Sequence, residues 1–427
     1  MQTLIAVLAA TALFQDITVT IESDALLKAP VGVSGSFTIA TTAPRVDVTL
    51  FTGLPTGDKG TLWSSWGDGC VARNGKYYTS LGDHRGTDAN SFLYEYDPAT
   101  HKLCRVVDVA RAIGQKPGAY GHGKIHSGIH EADDGWLYFS TYWGKHREVE
   151  AAFGPDYQGS LLLRYHPKTE KRENLGAIVP RRGLPASYFD AKRNLLYFHA
   201  VYDGGVSVYD VREQKLKFQS GESTTEGNRA FMGDARGRVF FTAPDGTLHF
   251  YDPQSNEVVL SKAELPVTEG SRKSDTLRAA AGPTRAGILY GMTQAGRLFS
   301  FDSATETVKD LGPNFGDGSY VAVMALSPDD NFLYFAPGAH GSGVGIGCPI
   351  VQYNIDTSER KVLAFLNAPL REQLNYNLGG TYNLKLDAAG DRLFVTFNGA
   401  PFIPNARKQE AFGQPCVVVL NIPMSER

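Results

Sequence analysis

Between residues 121 and 130 the chain reads Gly-His-Gly-Lys-Ile-His-Ser-Gly-Ile-His, and after Asp134-Gly135-Trp136 it runs through Tyr142-Trp143-Gly144-Lys145 to His146. Four of the ten histidines of a 427-residue chain thus fall in one short stretch: His122, His126, His130 and His146. Imidazole titrates near neutrality, so it can take a proton from carbon or return one to a leaving oxygen. Arginine binds a carboxylate through two parallel hydrogen bonds and stabilises the enolate-like charge that builds beside it as that proton leaves. Histidine, arginine and tyrosine together therefore suit β-elimination on an anionic, polyhydroxylated sugar. Glycoside hydrolysis would need paired carboxylates instead.

What must position these groups is a repeat. One marker couples an aromatic residue to Asp, Asn or His and a turn. It appears as Leu93-Tyr94-Glu95-Tyr96-Asp97-Pro98, Arg164-Tyr165-His166-Pro167, Val208-Tyr209-Asp210, Phe250-Tyr251-Asp252-Pro253, Ser300-Phe301-Asp302, Gln352-Tyr353-Asn354 and, eroded, Val419-Leu420-Asn421. A second marker precedes each copy, as in Gly135-Trp136-Leu137-Tyr138-Phe139 or Asn331-Phe332-Leu333-Tyr334. Alternating half-buried strands separated by tight turns account for both. Seven copies predict an all-β chain: a seven-bladed β-propeller of four-stranded antiparallel blades. A β-sandwich or two-domain all-β chain fits the regular count less well. The last copy lacks a fourth strand, and Val46 to Phe51 is patterned to supply it, closing the ring with an N-terminal strand. The expected organisation is a signal peptide over 1–14, an N-terminal extension over 15–45 and one propeller domain over 46–427.

In such a ring the first strand of each blade lines the central channel, starting at the face that also carries the loops between second and third strands. A single register places Trp66, His126, Pro185, Arg229, Arg278, Val321 and Tyr382 at the channel mouth. The loops add His84, His146 and His340. The mouth so defined contains no carboxylate. His101, His166, His199 and His249 read as hydrogen-bonded strand or turn residues. His122 reads as an exposed loop residue, and His130 as either channel-lining or buried.

Gly121 to Ser127, the following Asp134 to Thr141 and His146 resemble the seven-bladed propeller polysaccharide lyases, above all the ulvan lyase type. Oligogalacturonate lyases and rhamnose–glucuronate lyases share that architecture. The resemblance implies a lyase that cleaves a uronate-containing glycan by β-elimination, with His126, His146 and Tyr188 as catalytic residues. Where the family's arginine would follow Tyr188 this chain has Tyr202-Asp203-Gly204-Gly205, so substrate binding falls to Arg229 and Arg278 with His84, His340, Tyr382 and Trp66. A divalent cation held by His84, His126 and His340 is a further expectation drawn from the oligogalacturonate lyases. The alternatives are a non-catalytic propeller that binds glycan or protein at the same mouth, and a metal-dependent lactonase or hydrolase.

Composition narrows the setting. A formal net charge of −3 gives no basic footprint, so nucleic acid is not an expected partner; the acidic poly- or oligosaccharide expected instead follows from the mouth residues and the lyase resemblance. Leu4 to Phe14 is an apolar run too short to span a bilayer as a helix, and Ala10-Thr11-Ala12 reads as a signal-peptidase site. Secreted or periplasmic location and a monomer follow as expectations. Cys70, Cys104, Cys348 and Cys416 match no zinc or redox spacing. Cys70 and Cys104 lie on opposite edges of one blade, while Cys348 and Cys416 open equivalent strands of neighbouring blades, where a bridge is allowed.

Overall fold

A computed structural model describes residues 17–55, 63–143, 157–201, 204–222, 224, 230–270 and 276–427. The strands form seven antiparallel sheets arranged as the blades of a propeller, as the repeat predicts. Blade 1 runs through Cys70–Val71, Tyr77–Gly82, Ser91–Asp97 and Lys102–Asp108. Blade 2 has its inner strand in two pieces, Lys124–Ile125 and His130–Glu131, followed by Leu137–Tyr142, Leu162–His166 and Lys171–Asn174. The inner strands of blades 3 to 6 are Gly183–Asp190, Met232–Gly233, Leu277–Ala281 and Met324–Leu326. Blade 7 opens with Tyr376–Thr381 and Lys385–Leu386.

Burial follows position in the blade. The second strands Tyr77–Gly82 and Leu137–Tyr142 are buried at every residue, because blades stack face to face and both sides of the strand lie against apolar neighbours. The fourth strands of blades 2 and 3, Lys171–Asn174 and Lys215–Gln219, are polar and mostly exposed, whereas those of blades 6 and 7, Arg360–Phe365 and Arg45–Leu50, are mostly buried under the N-terminal segment. The aromatic-Asp marker is the hairpin into that outer strand. Asp97, Asp210, Asp252, Asp302 and Asn354 each accept the backbone N–H two residues on, an Asx turn that bends the chain without help from the sheet. His166 does the same work with Nδ1, accepting from the Lys168 N–H at 3.2 Å.

Arg45–Leu50 pairs with Cys416–Asn421 and completes blade 7, so the ring closes on an N-terminal strand. The chain before it also joins the sheets. Ile17–Ile21 pairs antiparallel with Arg45–Leu50, and Thr38–Ile39 pairs parallel with Lys361–Val362 at the rim of blade 6. Between them a short 3₁₀ turn, Asp24–Leu27, is capped by Ser23 and buries Leu26. The segment set apart as an extension thus adds edge strands to two adjacent blades. The 1–14 stretch lies outside the described residues, apart from which no described helix is long and apolar enough to cross a membrane.

All four cysteines are free thiols. The allowed bridge between Cys348 and Cys416 is not made. Both are buried, Cys348 donates to the Leu378 carbonyl at 3.3 Å, and burial pushes the Cys416 thiol up to about 12.

Candidate functional site

Trp66 enters at the start of the blade 1 inner segment, and its indole gathers side chains from four blades. It lies 4.9 Å from His84, 5.4 Å from His340, 4.7 Å from Tyr382 and 6.1 Å from His126, centre to centre. Phe412 lies parallel to it at 5.9 Å, and the Lys124 ammonium stands 4.9 Å from its centre. One face of the ring therefore brings together Trp66, His84, His126, His340 and Tyr382. Trp66 itself is only 9% exposed. It acts as a pillar against which the imidazoles rest, rather than as an open stacking platform.

The three imidazoles differ in what they can do. His126 follows Lys124–Ile125, and its Nδ1 lies 2.6 Å from the Pro185 carbonyl of blade 3. A carbonyl only accepts, so neutral His126 carries its proton on Nδ1 and keeps the lone pair on Nε2. His84 and His340 sit in equivalent loops with left-handed backbone, φ 58° and 62°, a strained geometry that functional loops often hold. His84 is pushed down to about 2, by burial first and then by the nearby charges of Lys124 and His340. It stays neutral, and its buried Nε2 has no hydrogen-bond partner among the described residues. His340 is exposed, and its Nδ1 lies 2.6 Å from the Tyr382 hydroxyl.

Across the mouth, Arg278 lies on the blade 5 inner strand and is 3% exposed. Its Nε and Nη2 both donate to the Tyr320 hydroxyl oxygen, and Nη1 has no partner among the described residues. Among the described residues no carboxylate pairs with it. Tyr320 stands 6.4 Å from Tyr382, ring to ring, which joins Arg278 to the Trp66 cluster. Because the Tyr320 oxygen accepts from the guanidinium, its own proton points elsewhere and forms a polarised donor.

The remaining candidates separate. His146 and Arg229 lie outside the described residues. Tyr188 lines the channel, yet its ring packs on Tyr197 at 6.0 Å and its hydroxyl fills the space over Gly233, so close that a Cβ there would meet it at 1.9 Å. Burial raises its pKa and keeps it protonated. Tyr188 and His126 both line the central cavity. Val321, placed at the mouth by register, packs into the core between blades 5 and 6.

His122 corrects the sequence reading. It is 6% exposed, with Nδ1 2.8 Å from the Thr141 hydroxyl, and burial pushes it down to about 4. It is a core residue of blade 2, not an exposed loop residue. His130 lines the channel and its Nε2 lies 2.8 Å from the Ser187 hydroxyl. His101, His166, His199 and His249 occupy hydrogen-bonded turn or strand positions. No three His, Cys, Asp or Glu among the described residues converge as a metal site. The indole stands among His84, His126 and His340.

Two residues of the mouth escaped the sequence reading. Lys124, 5% exposed, stands two residues before His126 and, like it, lies against Trp66 and Tyr142, so the two-residue alternation was signal enough. Tyr320 is one residue from Val321, within the slack of the register. Asp83 is a carboxylate close to the mouth, but it accepts the Arg85 and Asn90 backbone N–H groups and so braces its own loop.

No family model matches the chain, and no curated protein does. Solved structures do. The RRP9 WD40 repeats superpose with a TM-score of 0.54 at 11% identity, over 88% of this chain and 97% of that one. U3-55K gives 0.51 at 10% identity, covering 87% and 98%. A chain of the Mitotic Checkpoint Complex gives 0.52 at 10% identity, covering 87% and 95%. At these identities the likeness is one of fold, and it lends nothing to the lyase resemblance. By fold, the chain is similar to WD40 propellers.

Proposed function

We propose that this protein is a binding propeller whose mouth holds an anionic ligand of the acidic-saccharide class without turning it over. The observation that carries this is Arg278, a buried guanidinium that pairs with no carboxylate among the described residues. An uncompensated buried charge is costly, and its field reaches the mouth through the Tyr320 hydroxyl it polarises. A ligand carboxylate accepting from Tyr320 would complete the set, with His340 and His126 at hand for sugar hydroxyls.

Calorimetric titration with a galacturonate oligosaccharide tests the proposal. Saturable binding is expected, weakened about tenfold or more in Arg278→Met and in Tyr320→Phe, the scale of one charge-assisted hydrogen bond. A neutral galactose oligosaccharide binding equally well would refute it.

One observation favours β-elimination as a second reading: the Pro185 carbonyl takes the His126 Nδ1 proton, which assigns the basic lone pair of the neutral ring to Nε2. A rise in ultraviolet absorbance from an unsaturated uronate, lost in His126→Ala, would establish that activity and displace the non-catalytic proposal.

A further inference from the structure

Below the Trp66 cluster the inner strands enclose a cavity of about 410 Å³, a volume in the range of small-molecule sites. All seven blades contribute to its wall, and the wall has two unlike halves. Blades 4, 5 and 6 supply Ala230, Ala279, Ala322, Val323 and their neighbours, none with a side chain able to form a normal hydrogen bond. Blades 7, 1, 2 and 3 supply Lys385, Asp68, His130 and Ser187.

The polar half is balanced in charge. Lys385 forms an ion pair with Asp68, whose other oxygen accepts from the Gly69 and Leu384 backbone N–H groups at 3.0 and 3.3 Å. His130 and Ser187 form a neutral hydrogen-bonded pair across blades 2 and 3. Burial first, and then Lys385, pushes His130 down to about 3, which keeps the imidazole uncharged. A charged ligand would lose its hydration here and find no unmatched opposite charge. A hydrocarbon face, by contrast, fits the alanine wall, where each methyl contact adds burial without an unsatisfied polar group.

The ends of the cavity also differ. His126 and Tyr382 stand at the end nearest the mouth, whereas Phe189, Leu326, Leu386 and the exposed Gly282 mark the opposite end, next to the first hairpins. We propose that the central channel is a second site, entered from the face opposite the histidine mouth. It takes an uncharged small molecule with hydroxyl groups on one edge and a hydrocarbon surface on the other. The proposal is independent of what the mouth binds.

Ligand-observed saturation-transfer NMR and calorimetry with cyclohexanol test it, with cyclohexanecarboxylate and cyclohexylamine as charged analogues of the same shape. Saturable binding of cyclohexanol is expected, with both charged analogues about tenfold weaker or worse. Ser187→Ala should weaken cyclohexanol binding roughly two- to tenfold, as loss of one neutral hydrogen bond does. Ala322→Leu, which narrows the channel, should abolish it, and Ala281→Leu serves where the first variant does not fold. The proposal fails if cyclohexanol shows no saturable binding and the channel holds water alone. It also fails if the folded leucine variant binds as wild type, or if a charged analogue binds as well.

Discussion

Trp66 shows how a single side chain can set the geometry of a site without being its chemistry. Its indole is nearly buried, and His84, His126, His340, Tyr382 and Phe412 all take position from it. Trp66→Ala should therefore cost about 3–5 kcal/mol, the usual loss for a large aromatic removed from a packed setting. It should also abolish ligand binding at the mouth, while Trp66→Phe keeps most of both. Denaturant unfolding and calorimetry on the two variants would check this, and near-wild-type binding by Trp66→Ala would show the imidazoles to be held by other means. Trp66 was legible because one register applied to every repeat put it at the mouth. The same register missed Tyr320 by one residue, since loops of unequal length enter each inner strand. Tyr188, matched by motif, has its hydroxyl packed over Gly233, a contact the motif does not announce. Spacing along a chain carries no information on which neighbouring blade a ring will face.

At the scale of elements the hairpins were readable and the edges were not. Asp97, Asp210, Asp252 and Asp302 bend the chain by local hydrogen bonds, so their signal survives in sequence without any tertiary context. The strand that closes the ring was readable for a related reason: blade 7 lacked a partner and Val46-Asp47-Val48-Thr49-Leu50 alternates. Ile17–Ile21 belongs to no repeat, and its pairing with Arg45–Leu50 is a long-range contact that nothing local announces. Its role is to cover the outer edge of the closing strand, where unpaired N–H and C=O groups would otherwise invite another chain. Removing everything before Ser23 should leave the ring closed, because Arg45–Leu50 still pairs with Cys416–Asn421. Stability should fall by about 1–3 kcal/mol, as lost packing of a few edge side chains implies. The bared edge should promote self-association, seen as concentration-dependent mass in sedimentation. A truncated chain that stays monomeric and unchanged in stability would show that the edge needs no cover.

For the molecule as a whole, closure has a second fastening beside the shared sheet. The Glu426 carboxylate, near the C-terminus, accepts from the Thr41 and Thr42 backbone N–H groups and the Thr41 hydroxyl, and it pairs with Lys361 at 2.8 Å. Gln352 donates to the Glu426 carbonyl. The segment before the closing strand, the C-terminal residues and the rim of blade 6 are thus tied together at Glu426. Burial alone would raise the Glu426 pKa, but the hydrogen bonds from Lys361, Thr41 and Thr42 outweigh it and hold the carboxyl down at about 2. A carboxyl lowered on folding contributes stability that is fully present above its unfolded value of 4.5 and is lost as pH falls through about 2. Asp83 runs the other way: burial raises it to about 6, so what it contributes is present below 3.8 and lost as pH rises through about 6. A pH scan of wild type alone would mix the two effects, and a comparison at fixed pH separates them. Glu426→Gln keeps the shape but gives up the ion pair with Lys361 and the strength of an anionic acceptor, a loss of about 2 kcal/mol at neutral pH on the scale of charge-assisted hydrogen bonds. The gap between wild type and Glu426→Gln, measured by thermal or denaturant unfolding, should be constant near neutrality and shrink as pH falls below 4.5 toward 2. A gap that stays constant through that range would mean that the carboxylate does not fasten the ring and that the closing strand holds it alone.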